Sequence, residues 1–194
     1  PGGAAVPGGA GPGAASGDPG ASALSGLVVH AVDVGAGVTV QALPGGDQVT
    51  GQTTLDLCNG TFPSEALRTA RLQVAATDGQ GASLFSTEAV LYSGPPSTAQ
   101  AFSELRATAA GCPSTPVVSP VGEPTVTTQF HPAPDGAWPQ TPTVDRLAYD
   151  FTLTDASGQT QHSVAVYLRR GRVLMGLYFF QPDGPQSAVA GQRT

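Results

Sequence analysis

Alternating apolar and polar positions predict a sheet-rich domain. Residues 71–76 alternate with a period of two, which is typical of a strand with one buried face. The run 84–92 repeats this pattern after Asp78-Gly79-Gln80-Gly81, a sequence typical of a hairpin turn. Residues 71–92 are therefore predicted to form an antiparallel ribbon. Before them, the β-like runs 27–29 and 32–34, with the alternating run 38–43, predict a hairpin or short edge strands.

The second half of the chain repeats the strand pattern. Strands are predicted at 125–130, 147–154, 163–168 and 173–180. In the second of these, the residues that share one face are Leu147, Tyr149, Phe151 and Leu153. Turns are predicted at 155–158 and at Arg170-Gly171. The last strand is the most apolar segment of the chain, which indicates a central or fully covered position.

Capping residues and apolar spacing predict the helices. Ser64 is a candidate N-cap for a helix of one or two turns that ends near residue 70. Ser97 is expected to cap a longer helix, which Gly111 and Pro113 end. One face of that helix carries Ala101, Phe102, Leu105 and Ala109. Residues 187–194 are expected to open a further helix that the chain cuts off.

Together these elements predict an α+β fold. Its centre is a twisted antiparallel β-sheet of about five to seven strands, packed by two or three helices and closed by one disulfide. Eighteen of the 22 residues in 1–22 are Gly, Pro or Ala, so that segment has too little to bury to offset its ordering entropy. We expect 1–22 to be a flexible linker, although a disordered terminus without a role would look the same. Residues 23–194 are expected to form a single sensor-like domain.

Charge and composition narrow the class of partner. The net charge is −6, there is no Lys, and all eight basic residues are Arg, so nucleic acid is not an expected partner. No apolar run approaches the roughly 20 residues of a membrane span. The chain begins at Pro1 without Met, and an upstream anchor is the expected contact with a membrane. Abundant Ala, Gly, Pro, Arg and Val without Ile is typical of a high-GC genome, as in actinobacteria.

The two cysteines, Cys58 and Cys112, indicate whether the protein resides in an oxidising or a reducing compartment. A single pair fits one disulfide in an oxidising compartment, and the alternative is two buried free thiols in a cytosolic protein. Cys58 precedes Asn59-Gly60, and Cys112 lies between Gly111 and Pro113. Such residues are typical of loops and of the ends of helices and strands, where the Cβ atoms of two cysteines can approach each other without distorting a strand ladder. The disulfide is the interpretation we carry forward, and with it an extracytoplasmic location.

No catalytic residue, metal site or cofactor is predicted. The Gly-x-Ser-x-Gly motif is missing, and His30, His131 and His162 have no partner at a diagnostic spacing. His131 with Glu123 or Asp135 would supply two ligands at no known metal-site spacing. The glycines form no phosphate-cradling loop.

Five residues are the candidate ligand-binding residues: Trp138, Tyr149, Arg169, Arg170 and Arg172. The arginines surround one hairpin turn. They suit an anion site for phosphate head groups or cell-wall polymers, or else they keep an exposed turn soluble and contribute little to stability. Trp138, on a proline-stiffened loop, is either a ligand platform or a ring that packs back to pin the loop.

Three blocks of sequence resemble a known family. They are residues 58–74, residues 88–92 with the helix up to Cys112-Pro113, and residues 166–178. Together they look like actinobacterial exported sensor-domain proteins, similar to the extracellular sensor domains of transmembrane Ser/Thr kinases of the PknH kind and to related lipoproteins. The resemblance spans residues 50–190. It implies an antiparallel sheet packed by helices, a disulfide, and a cleft for an unidentified extracellular ligand.

These observations favour an extracytoplasmic ligand-binding or sensor module tethered to the cell envelope, rather than an enzyme. Its partner would be an extracellular ligand or an envelope protein. One alternative is an exported cell-wall hydrolase, which would need Asp145, Asp150 or His162 gathered in a cleft. Asp150 is otherwise the polar side of a half-buried strand. Another alternative is a structural or partner-binding lipoprotein without a small ligand.

Overall fold

A computed structural model describes residues 19–119, 126–131 and 143–180 of the chain. Its strands are β1 (Thr39–Ala42), β2 (Arg68–Thr77), β3 (Ser83–Tyr92), β4 (Val117–Val118), β5 (Thr127–His131), β6 (Asp145–Thr154), β7 (Thr160–Arg170) and β8 (Val173–Phe180). The α-helices are α1 (Pro19–Ala23) and α2 (Pro95–Gly111). Short 3-10 helices cover Ser25–Leu27, Ala31–Asp33, Leu57–Asn59 and Pro63–Leu67.

All eight strands join one antiparallel sheet in the order β1-β2-β3-β8-β7-β6-β5-β4. The chain builds it as two meanders, β1 to β3 and β4 to β8, and α2 lies in the connection between them. β8 closes the sheet because it pairs with β3 on one side and with β7 on the other. The predicted α+β class, the 71–92 ribbon and the central last strand are confirmed.

The two faces of the sheet carry separate cores. Val90 and Ala89 are neighbours in β3, so their side chains point to opposite faces. Val90 belongs to the main core, under α2, together with Tyr92, Phe102, Leu105, Phe130, Leu147, Tyr149, Tyr167 and Leu174. Ala89 belongs to a second cluster, in which Leu24 and Val28 of the N-terminal segment cover β2 and β3. The predicted apolar face of α2 is confirmed: Ala101, Phe102 and Leu105 are buried, and Ala109 packs against them.

The strand number exceeds the predicted range because the two-residue β4 adds an edge pair to β5. The predicted strands at 27–29 and 32–34 were wrong, since 3-10 helices cover Ser25–Leu27 and Ala31–Asp33. The apolar residues of that segment do not alternate between two environments. Val28 is buried against the sheet, whereas Val32 is 91% exposed. No neighbouring strand among the described residues pairs with it, so its β propensity has no ladder to join.

Three local predictions also changed. Ser64 lies inside a 3-10 helix preceded by Phe62, and its hydroxyl donates to Glu104 of α2 rather than capping a helix. The long helix begins at Pro95, two residues before Ser97, because a proline suits the first turn of a helix. The two-residue turn after β7 is Gly171-Arg172, not Arg170-Gly171, since Arg170 still pairs with Val173.

The predicted disulfide is confirmed. Cys58 and Cys112 are bonded, with their Cα atoms 5.7 Å apart, and join a short 3-10 helix to the end of α2. Cys58 and Asn59 both adopt positive φ, which turns the chain sharply next to the helix. None of the helices among the described residues is long and apolar enough to cross a membrane.

The structure describes only part of the predicted linker and none of the predicted C-terminal helix. Residues 19–22, assigned by the sequence to the linker, lie in α1, which packs against β2. Residues 1–18 and the helix predicted at 187–194 lie outside the described residues, so the linker and that helix stay predictions.

Candidate functional site

The arginine-rich turn between β7 and β8 has a defined geometry. Gly171 adopts φ 58°, a conformation that lets a two-residue turn reverse the chain without strain. Arg169 lies opposite Asp145 in the sheet, and its Nε donates to an Asp145 carboxylate oxygen 2.8 Å away. Arg172 donates from Nε to the Tyr92 carbonyl at 2.9 Å. Arg170 and Arg172 are exposed, whereas Arg169 is half-buried.

A fourth arginine, which the sequence analysis did not single out, joins this turn from α2. The guanidinium carbon of Arg106 lies 4.9 Å from the centre of the Phe102 ring, and that of Arg169 lies 5.9 Å from the same centre. Both distances fall within the range of cation–π attraction. The i, i+4 spacing of Phe102 and Arg106 was visible in the sequence, but the approach of β7 to α2 was not. We call Arg106, Arg169, Arg170 and Arg172 the arginine surface. Arg170 follows Arg169 directly in β7, so its side chain leaves the sheet on the face opposite α2, at the edge of this surface.

The other candidate ligand-binding residues do not gather there. Tyr149 is 8% exposed and packs in the main core, with ring centres 5.3 Å from Phe130 and 6.3 Å from Tyr167. Its position, four residues along β6 from Asp145, places it roughly 13 Å from the arginine end of that strand. Trp138 lies outside the described residues.

A buried polar cluster lies on the α2 side of the sheet, at β2, β3 and β8. Glu88 and Arg71 form an ion pair whose side chains are 3% and 4% exposed. The Thr54 hydroxyl donates to the same carboxylate at 3.1 Å, and Tyr178 donates at 3.3 Å. Gly176 leaves room for this arrangement, since a Cβ there would lie 2.6 Å from the Tyr178 hydroxyl oxygen. We call Glu88, Arg71, Thr54 and Tyr178 the Glu88 cluster.

A second ion pair ties residues 49–55 to the sheet. Glu65 accepts backbone N–H groups of Thr54 and Leu55 at 3.0 and 3.2 Å, and it lies 3.1 Å from Arg68. Arg68 also donates to the carbonyls of Val49 and Gln52. The sequence alone showed no link between these positions, because the contacts connect a loop to the start of β2. Their effect is to hold the loop over the polar side of β2.

Burial perturbs the ionisable groups of this region. Burial raises the pKa of Asp56 to about 6, a backbone hydrogen bond opposes the rise, and the negative charge of Glu65 adds to it. Burial also raises the pKa of Glu88, against the opposing attraction of Arg71. The pKa values of Tyr167 and Tyr178 rise for the same reason. Since Glu88 is paired and its hydrogen bonds are internal, the cluster serves to position the covering loop.

The residues named for a hydrolase are not assembled. His162 and Asp150 are 3.6 Å apart on the face opposite the Glu88 cluster. Asp145 is an odd number of residues from Asp150 along β6, so it points to the other face, where it pairs with Arg169. His131 contacts the Thr152 hydroxyl at 3.0 Å. Among the described residues no group of three His, Cys, Asp or Glu side chains is placed to hold a metal ion.

Comparison with known proteins finds a likeness to a solved structure. No protein-family profile and no curated protein sequence matches the chain. The fold is similar to the extracellular domain of PknH from Mycobacterium tuberculosis, with a TM-score of 0.52 and 13% sequence identity. The match covers 89% of this chain and 93% of that domain. At this identity the likeness shows that the two chains share a fold, and it shows no more than that.

Proposed function

We propose that this protein is an extracytoplasmic sensor-like module that binds a ligand of the cell envelope. The observation that carries the proposal is the fold likeness to the PknH extracellular domain over nearly the whole chain. The Cys58–Cys112 disulfide supports it, because such bonds persist in oxidising compartments.

The finer parts of the proposal follow from the sequence. We assign the chain to the actinobacterial exported sensor-domain proteins, with an upstream anchor and a role in signalling rather than catalysis. The ligand would be an extracellular molecule or an envelope protein. Of the candidate ligand-binding residues, the arginines of the β7–β8 turn support this function best, because Tyr149 is enclosed in the core. Trp138 stays a candidate on sequence grounds.

Thermal-shift measurement on the oxidised 194-residue chain tests the proposal. The ligand set is soluble wall polymers, peptidoglycan fragments, neutral glycans and lipid vesicles. A ligand at a hundred times its Kd should stabilise the folded state by about 2.7 kcal/mol. In a domain of this size that stabilisation raises Tm by roughly 5–11 °C.

The control separates binding from nonspecific stabilisation. A true ligand should shift the Tm of the Cys58→Ser/Cys112→Ser variant by a similar amount from its lower starting value. Alkylation of protein exported to a periplasm should find no free thiol. Free thiols there, together with no shift from any ligand class, would refute the proposal.

A further inference from the structure

We infer that the arginine surface binds the phosphodiester groups of a soluble polyanion, such as a wall polymer built from sugar or polyol phosphates. This inference rests on the proposed function and specifies its ligand chemistry. Four of the eight arginines of the chain lie on this surface. Guanidinium groups suit phosphate because their N–H donors match two phosphate oxygens at once.

The surface keeps donors available for a ligand. Arg172 uses Nε on the Tyr92 carbonyl, and its two terminal nitrogens make no hydrogen bond or ion pair within the described part of the chain. The Arg106 guanidinium contacts the Phe102 ring and likewise donates to no described residue. Arg170 is exposed at the end of β7, on the opposite face of the sheet from Arg169, and has no partner among the described residues. These three side chains therefore present unpaired N–H groups to solvent.

The surface is also partly preorganised. Phe102, only 4% exposed, holds the Arg106 and Arg169 guanidinium groups near one ring. Asp145 fixes Arg169, and the Tyr92 carbonyl fixes Arg172. Side chains already held in place lose less entropy when a ligand arrives, which favours affinity.

Local charge favours an anion although the whole chain is acidic. Asp145 is the carboxylate that pairs with an arginine of this surface. Glu104, on α2, turns instead to Ser64 and Gln100. Exposed charges farther away than about 8 Å are largely screened at physiological salt, so the net charge of −6 does not cancel a local excess of arginines.

The spread of the donors favours a polymer over a single phosphate. The arginines stand on α2, on the end of β7 and in the β7–β8 turn, so a chain of phosphates can meet several of them. A lipid surface fits less well because apolar anchors are missing there. The exposed large apolar residues of the described chain are Leu27, Val32 and Val118. Val118 lies beyond β5, by the opposite end of β6, and the other two lie on the N-terminal segment.

Isothermal titration with soluble poly(glycerol phosphate) tests the inference. Binding is expected at 50 mM NaCl, and the affinity should fall at least tenfold at 200 mM as counterion release weakens. Arg106→Gln and Arg172→Gln should each weaken binding about fivefold, and the Arg106→Gln/Arg170→Gln/Arg172→Gln variant about a hundredfold. Asp145→Asn should strengthen binding, because it removes a competing negative charge while the Asn side-chain oxygen still accepts the hydrogen bond from Arg169 Nε.

Control measurements distinguish a soluble polymer from free phosphate and from lipid head groups as the ligand. Arg193→Gln removes an equal charge outside the four arginines and should change the affinity less than twofold. Inorganic phosphate binding as tightly as the polymer, per phosphate, would overturn the multivalent site. Tighter binding to phosphatidylglycerol vesicles would overturn the soluble ligand in favour of a membrane. If the triple variant binds the polymer like the wild type, the surface is not the site. Stabilisation by a neutral glycan without polymer binding would refute this inference and leave the proposed function standing.

Discussion

Asp56 is a half-buried carboxyl group between two buried leucines, Leu55 and Leu57. Its pKa of about 6 lies above the usual value of 3.8, so the folded state holds the proton more tightly than the unfolded chain does. The resulting stabilisation is complete below about pH 4 and is lost as the pH rises through about 6.

Asp56→Asn should therefore stabilise the protein at high pH. We expect the free energy of unfolding to rise by about 1–2 kcal/mol at pH 8 and to change little at pH 4.5. Urea denaturation of both proteins at pH 4.5, 6 and 8 measures this. A variant less stable than the wild type at pH 8 would show that the carboxylate makes a favourable contact.

Arg71, unlike Asp56, is a buried charged residue whose counter-ion, Glu88, is also buried. Arg71→Ala leaves Glu88 without its counter-ion, and we expect a loss of about 3–5 kcal/mol in the free energy of unfolding. Arg170→Ala removes the same side chain type from an exposed position and should cost less than about 0.5 kcal/mol. Equal losses in the two variants, measured by urea denaturation, would mean that the Glu88 cluster is solvated.

At the scale of elements, the loop that carries Cys58 passes very close to α2. A Cβ at Gly60 would lie 2.6 Å from Cγ2 and 2.9 Å from Oγ1 of Thr108, so rotating the Thr108 side chain cannot relieve both contacts. Gly60→Ala should cost about 1–3 kcal/mol. Gly26→Ala is the matched control, because nothing lies within 4 Å of its Cβ. If thermal denaturation shows the same small change for both, the loop can move away from the helix.

How far the sequence predicts these elements depends on where their partners lie. Alternation found β2, β3, β6, β7 and β8, because each has an apolar face that is buried, by the second cluster for β2 and by the main core for the other four. It gave no sign that Arg71 and Gln73 are covered, because the loop that covers them comes from residues 43–57. The cap assigned to Ser64 failed for a similar reason: its acceptor, Glu104, is 40 residues away. Three of the four arginines of the arginine surface were predicted, and Arg106 was missed because Arg169, which shares the Phe102 ring with it, lies on another element.

At the scale of the whole molecule, the pairing of β3 with β8 joins the two meanders. Amide hydrogen exchange should follow that arrangement. We expect the amides of β3 and β8 to exchange near the rate of global unfolding and those of β1 and β4, at the sheet edges, much faster. Mass spectrometry of peptides from partly exchanged protein measures this. Early exchange in β8 would contradict a single cooperative sheet.

The position of β8 also sets an order of events for a chain that is made from its N-terminus. The central strand follows the other seven strands in the chain, so the gap between β3 and β7 stays open until Phe180 has emerged. During that interval the inner edge of β3 presents unpaired N–H and C=O groups to any extended chain nearby. The sheet therefore cannot be completed before β8 has been made, and crowding of nascent copies would favour strand exchange between them.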